Sequence, residues 1–526
     1  MPLESKAAVG TPSCVQPIQA AGAAASAAAP SGVDMADLKR QSVRGGAVTM
    51  VTQGIRIAIQ ITSVMVLSRL LSPNDYGVMA MVIAVTGFAG LFRDLGLSSA
   101  AIQKKDLHQP LQSNLFWINV AMGTLLTVIV AVASPLVAWF YGKPELSAVT
   151  LALSFSFLLA SLGTQNGARL VREMQFARQA VAGITGAVTG LAVSITLAFQ
   201  GFSYWSLVWG ELSSSFATTL LLFVLSPFRP GLPTRGTGIR DMLKFGANVT
   251  AFDFVNYFHR NLDNILIGRF WGPGPLGHYS RAYALLMLPI NTIRGPIIAV
   301  GFPALSRLQD QPAAFRDYYR KVTSFVALVS MPLTAFLFVA SKVIIALALG
   351  PQWEAITPVF AILATVGFVQ PVITLWGVVV LSRGMGRRYL HLGIFNTVCS
   401  AIGFAAGLPW GPIGVAVGYA VVTYLSAYPI LIWAFRGTPL KFGDFTAVTV
   451  RPFTASIVAA ICCFYISSVI STIPSFVWLA LLGSAFMASY LCTLRLLPGG
   501  KSDFAFIGNL IRPVVASSRF SSLLKI

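Results

Sequence analysis

Five arginines stand inside long apolar stretches of this sequence: Arg56, Arg93, Arg260, Arg281 and Arg294. A guanidinium near the middle of a bilayer costs about 2.5–3.5 kcal/mol on insertion scales, so it must face a partner or an aqueous cavity. It stays charged at every accessible pH and pairs bidentately with carboxylate or phosphate, so the chemistry such a set suits is the capture of an anion. Arg56 is accompanied by Gln53 and Gln60. At 100° per residue the three lie within about 60° of one another on a helix. Counting on by 200 gives Asp253, Asn256 and Arg260 in the same relation on a second helix. Both helices run into similar ends, Arg69-Leu-Leu-Ser-Pro-Asn-Asp-Tyr-Gly77 and Arg269-Phe-Trp-Gly-Pro-Gly-Pro-Leu-Gly277, with arginine, proline and glycine in register.

The elements that carry these residues are membrane-spanning. The chain has 526 residues, 56% hydrophobic and 10% charged, against about a quarter charged in an average soluble domain. Segments of about 20 apolar residues follow one another, each long enough to cross a hydrocarbon core of about 30 Å. Fourteen are predicted, over 46–68, 77–98, 115–138, 146–167, 180–200, 204–226, 245–268, 279–302, 323–341, 356–381, 389–408, 411–434, 453–471 and 474–494. Pro289, Pro296, Pro332 and Pro371 fall within them and predict kinks. The fold class expected is an all-α integral membrane protein.

Basic residues set the orientation. Of the 37 lysines and arginines, 28 fall in the termini and in alternate loops, and only Arg69, Lys143, Arg269 and Lys342 fall in the opposite loops. Both termini are therefore expected in the cytoplasm. The net charge of +20 is a topology signal on this reading, with contacts to anionic membrane lipids and no nucleic-acid partner. Arg69, Arg269 and Arg281 fall at the outer ends of helices and read as boundary anchors.

Residues 1–35 form an Ala-rich extension read as disordered, and Met35 offers an alternative translation start. The five cysteines and four histidines have no metal-ligand spacing, and no metal or cofactor is expected. Similarity between the halves extends past the opening pair. Tyr141-Gly-Lys-Pro-Glu145 ends the third helix as Leu349-Gly-Pro-Gln-Trp-Glu354 ends the ninth, and Leu91-Phe-Arg93 has a counterpart in Thr292-Ile-Arg294. Six helices (36–226) are thus followed by six like them (245–436) across a linker (227–244). Two extra helices (437–494) and a tail (495–526) complete the chain. An even number of crossings per half makes the repeats parallel, about a pseudo-two-fold axis along the membrane normal with a site between the lobes.

Leu67-Ser-Arg-Leu-Leu-Ser-Pro-Asn-Asp-Tyr-Gly-Val-Met-Ala80, Ile102-Gln-Lys-Lys-Asp106, Phe116-Trp-Ile-Asn119 and Gly350-Pro-Gln-Trp353 resemble the polysaccharide transporter family of the multidrug/oligosaccharidyl-lipid/polysaccharide exporter superfamily. The likeness covers roughly residues 36–495 and is nearest to the colanic acid and succinoglycan exporters. It implies two lobes around a cavity that opens to alternate sides. It also implies a cargo of oligosaccharide on undecaprenyl pyrophosphate, flipped across the inner membrane for exopolysaccharide or O-antigen assembly, and a polymerase or export machinery as possible partner. Arg56, Arg93, Arg260 and Arg294, with Gln53, Gln60 and Asn256, are then the candidates for the pyrophosphate and sugar head.

Each candidate has a second reading. Arg260 suits an ion pair with Asp253 or Asp263, and Arg93, beside Asp94, suits snorkelling to the interface. Glu211, Asp253 and Asp263 are candidates for coupling to a proton or sodium gradient, since no Walker-type Gly-x-x-x-x-Gly-Lys segment points to a nucleotide engine. A multidrug antiporter of the same superfamily is the alternative, opposed by arginines that repel a cationic cargo. A membrane polymerase or ligase is the remaining one, opposed by outer loops too short to carry catalytic groups.

Overall fold

The computed structural model describes residues 35–94, 96–103, 107–234, 257, 261–469 and 476–500. All regular structure among them is helical. The first half consists of α1 (Met35–Leu70), α2 (Pro73–Gly90), the short α3 (Leu97–Gln103), α4 (Gln109–Tyr141), α5 (Glu145–Arg172), α6 (Phe176–Phe199) and α7 (Trp205–Leu225). The described part of the second half begins with α8 (261–271), apart from Tyr257. It continues through α9 (Pro273–Arg307), α10 (Pro312–Val339), α11 (Ser341–Ala348), α12 (Thr357–Ile373), α13 (Trp376–Ser382), α14 (Gly386–Gly407) and α15 (Gly411–Phe435), before α16 (Phe442–Val469) and α17 (Phe476–Leu496). Ten stretches of the described residues are long and apolar enough to cross a membrane, and one of them, Gly386–Phe435, is the α14–α15 hairpin. The chain is a multi-pass membrane protein.

Two helices differ from their expected bounds for local reasons. The second was expected over 77–98 but runs Pro73–Gly90. Ser72 caps it in a capping box: the Asp75 amide donates to Ser72 Oγ at 3.3 Å and the Ser72 amide to Asp75 Oδ2 at 2.8 Å, with Pro73 in the first turn. Arg93 therefore lies in a bend beyond α2 rather than inside a spanning helix. The tenth, expected as one helix over 356–381 kinked at Pro371, divides into α12 and α13. Pro371 has no N–H for the carbonyl one turn back, and α12 ends two residues later.

The helices pack as hairpins, α4 with α5, α6 with α7 and α14 with α15, while α1 lies on α6 and α10 lies between α12 and α16. The halves meet mainly through α2 and α9. Their crossing is reciprocal. A Cβ at Gly77 would lie 1.7 Å from the Pro273 carbonyl oxygen, and one at Gly277 would lie 1.8 Å from that of Pro73. Only glycine permits that approach. Close by, Trp353 Nε1 donates to the Ser68 carbonyl at 2.6 Å, Gln352 Nε2 to the same oxygen at 2.5 Å, and Arg69 Nη2 to the Leu347 carbonyl at 2.8 Å.

One buried apolar cluster spans both halves at this end, including Leu67, Tyr76, Tyr141 and Leu146 from the first and Leu276, Tyr279, Leu349 and Trp353 from the second. The other clusters each belong to one side: one to the second half with α16 and α17, two to the first half. Among the described residues the halves are thus sealed together at the Ser72 end and share no buried core at the opposite end.

Candidate functional site

Beneath the seal lies a cavity of about 760 Å³, lined by α1, α2, α6 and α7 of the first half and α8 and α9 of the second. Arg56 and Gln60 of α1 line it, as does Glu211 of α7. The guanidinium of Arg56 reaches across to α6, where a Cβ at Gly183 would lie 2.4 Å from Nη2. A side chain at 183 would displace it, so the glycine makes the room the arginine occupies.

The second charge in this cavity is Arg281. Its guanidinium carbon sits 3.5 Å from the centroid of the Tyr76 ring, a cation–π contact made across the seal between α2 and α9. Such contacts are worth about 0.5–2 kcal/mol. They leave the N–H groups free to donate in the ring plane. Among the described residues, neither Arg56 nor Arg281 has a carboxylate or a hydrogen-bond acceptor. Asn261, Asn264, Ser63, Ser194, Ser214 and Thr218 add polar groups to an otherwise apolar wall. The cavity has the chemistry of an anion site: two unpaired guanidiniums, small neutral donors, and a low-dielectric lining that strengthens both.

The remaining candidates are distributed as follows. Gln53 is exposed on α1 and does not line the cavity. Arg93 does not line it either, and its Nε is buried without a partner among the described residues. Asp94 beside it caps α3, accepting from the Ser98 amide at 3.2 Å and from Asn119 Nδ2 at 3.2 Å. Arg294 belongs to α9, with its side chain outside the described residues. Asp253, Asn256 and Arg260 lie outside them altogether. Asp263 faces away from this cavity, 4% exposed, and accepts from Tyr279 Oη and from the Asn264 amide, each at 2.8 Å. It lines a second cavity, of about 560 Å³, inside the second half.

Arg281 is the residue that sequence reasoning set aside. Placing the start of its helix at 279 put it at the mouth, whereas α9 starts at Pro273 and places it more than two turns in. Gly272-Pro273 was the available signal, since proline favours the first helical turn; in the structure Gly272 has φ 82°. Arg69 and Arg269 do sit at that end, Arg69 on the Leu347 carbonyl and Arg269 5.8 Å from the Phe140 ring.

An all-helical membrane fold with a cavity between its halves has a counterpart among solved structures. The chain superimposes on the structure of the lipid II flippase MurJ in an inward closed conformation with a TM-score of 0.70, at 12% identity, over 86% of this chain and 98% of that one. Residues 66–358, more than half of the sequence, match the family described as polysaccharide biosynthesis protein, and the chain belongs to that family. It is 26% identical over 396 residues to the lipopolysaccharide biosynthesis protein WzxC of Escherichia coli K12, covering 74% of this chain and 80% of that one. It is 22% identical to the succinoglycan biosynthesis transport protein ExoT of Rhizobium meliloti, covering 77% and 82%. The fold is therefore one shared with a solved flippase, and the family match bears out the resemblance that the motifs carry.

Proposed function

We propose that this protein flips oligosaccharide repeat units linked to undecaprenyl pyrophosphate from the inner to the outer leaflet of the cytoplasmic membrane, by alternating access. The observation that carries the reading is the pair of guanidiniums, Arg56 and Arg281, contributed by the two halves to one cavity, with neither ion-paired to the Glu211 that shares it among the described residues. Unpaired charge in such a place is stabilised by a charged ligand. Pyrophosphate supplies the charge, and the lipid tail stays in the bilayer between the lobes. A cationic drug would meet repulsion in the same space.

On this reading the chain crosses the membrane fourteen times as two parallel repeats of six helices and a final pair, with both termini cytoplasmic. The seal at Gly77 and Gly277 is then the outer gate, closed, with the cavity facing the side where the cargo is made. Energy comes from a proton or sodium gradient acting on Asp263, Glu211 or Asp253, or from consumption of the product by a polymerase outside.

The test is a deletion strain. Cells lacking the protein should accumulate lipid-linked oligosaccharide that external glycosidase cannot reach in intact spheroplasts. Accumulation on the outer leaflet instead would sink the proposal.

A further inference from the structure

We infer that the cavity inside the second half is the subsite for the sugar rings of the cargo, a place for a neutral, hydroxyl-rich ligand. The inference rests on the flippase reading above. The cavity, of about 560 Å³, has no arginine or lysine among its described lining residues. Its one carboxylate, Asp263, sits on α8 and is already held by Tyr279 and the Asn264 amide. The rest of the lining mixes aliphatic and aromatic side chains with amides and hydroxyls.

Trp376 of α13 and Tyr389 of α14 pack with centroids 5.3 Å apart and planes at 42°. Gly377 lies beneath the tyrosine, where a Cβ would approach Tyr389 Cε2 to 3.1 Å. Asn291 of α9, Gln370 of α12 and Asn396 of α14 share the cavity with this pair, and Gln370 Nε2 donates to Tyr419 Oη at 2.8 Å. This is the pattern a sugar ring needs. Its C–H face packs on an aromatic surface, and its hydroxyls each donate and accept, as side-chain amides also do. A cation would call for a cluster of oxygen ligands around the acid, and an anion for the arginines that the first cavity has.

The two cavities follow one another along α9. On α9, Ser280 and Ala284 line the first cavity, and Met287 and Asn291 line the second. The spacing i, i+4, i+7, i+11 puts these four on one stripe of the helix. Ala284 and Asn291 are about 10 Å apart along the axis, a distance a short oligosaccharide spans. Trp376 and Tyr389 lie towards the unsealed end, so a head group arriving from that end with its pyrophosphate at Arg56 and Arg281 passes them.

The test compares two probes on the full-length protein in lipid nanodiscs: bare undecaprenyl pyrophosphate, and the lipid-linked oligosaccharide extracted from cells lacking the protein. Trp376→Ala should weaken binding of the oligosaccharide lipid about tenfold or more, the loss expected for removing one well-packed anchor, and leave the bare lipid within about twofold. Trp376→Phe should recover most of the loss. Asn291→Ala, at an exposed position, should act in the same direction and serves if truncating Trp376 lowers the yield of folded protein. Equal weakening of both probes would mean a packing role, and unchanged binding of both would mean the cavity is not visited; either overturns the inference. If Arg56→Glu abolishes binding of both probes while Trp376→Ala and Asn291→Ala change neither, the flippase reading stands and the sugar site falls. If the unmodified protein binds neither probe, both fall together.

Discussion

The two cavities lie on either side of α8 and α9 and differ in what they were built to tolerate. The first lies between the halves and holds two guanidiniums and Glu211. The second lies within one half and holds a single buried acid that is already hydrogen-bonded. Residues one position apart divide between them: Asn264 and Ala284 face the first, Asp263 and Tyr283 the second. A charge that must meet a ligand is placed where the halves can separate. A charge that is satisfied internally is placed where they cannot.

The sharpest way to break this comparison is to reverse the charge on one side and remove it on the other. Arg56→Glu should reduce polymer secretion at least roughly hundredfold, because a carboxylate in that place repels the pyrophosphate that the guanidinium attracts, and like charges brought together cost several kcal/mol. The membrane level of the protein should hold, since no described residue depends on Arg56 for an ion pair. Asp263→Asn keeps the shape and the acceptor for Tyr279, so it should leave binding of bare undecaprenyl pyrophosphate intact. Equal loss of that binding in both variants would erase the distinction between the cavities.

Next in size is the seal. Gly77→Val would drive a side chain into the Pro273 carbonyl, which as backbone cannot rotate away. The cost of overpacking, about 1–3 kcal/mol or more, falls on the sealed state alone. A population shift of tenfold or more toward the state open at the Ser72 end follows. A cysteine introduced at Ser72 should then react with a membrane-impermeant maleimide faster than in the parent. Unchanged labelling would mean that α2 and α9 do not form the gate.

What could be read from the sequence was whatever leaves a periodic or charged trace. Arg56 and Gln60 fall on one helical face and reach one cavity. Asp263 is an acid in an apolar run, and it is buried. Arg281 was visible as a residue but misplaced by six positions of helix start. The capping box at Ser72 and Asp75 was equally legible, and overlooking it shifted α2 by four residues and left Arg93 inside a helix it lies beyond. Ser194, Ser214 and Thr218 leave no trace, because small hydroxyls are common in membrane helices and mark no face by themselves. Trp376 and Tyr389 belong to different predicted helices, and only tertiary packing brings their rings together. The reciprocal Gly77 and Gly277 contact was present as a repeat of 200, without any hint that the two copies touch.

The helix hairpins behind the cavities offer a smaller test. In α14–α15, a Cβ at Gly407 would lie 2.0 Å from the Gly414 carbonyl oxygen, and one at Gly414 would lie 2.1 Å from that of Gly407. In α6–α7, the nearest atom to a Cβ at Gly186 is Thr218 Oγ1 at 1.9 Å, with the Ser214 carbonyl oxygen at 2.9 Å. A threonine can turn to another rotamer; a backbone cannot. Gly407→Ala should therefore cost about 2–3 kcal/mol and Gly186→Ala about 1 kcal/mol or less, read as the order of thermal midpoints in detergent. The reverse order would mean that the lining of the first cavity is the more rigid of the two.

The smallest effect expected is at Tyr76, where the charge of the first cavity is tied to the seal. Arg281 stacks on this ring from the opposite half, and the ring also meets Trp353 edge-on at 5.5 Å. Opening the Ser72 end would part α2 from α9 and take the guanidinium off its platform. Tyr76→Leu removes the π face while keeping an apolar body, so the sealed state should lose about 1 kcal/mol, roughly fivefold in population. Tyr76→Phe keeps the face and should stay close to the parent in the same maleimide assay. The contrast between Leu and Phe is what isolates the cation–π contact from simple packing. If both variants open the seal equally, the hydroxyl rather than the ring holds it, and the link between anion site and gate must run through another residue. If only Tyr76→Leu does, the contact between guanidinium and ring holds the seal, and a cargo that draws Arg281 off the ring would favour the opening of the gate.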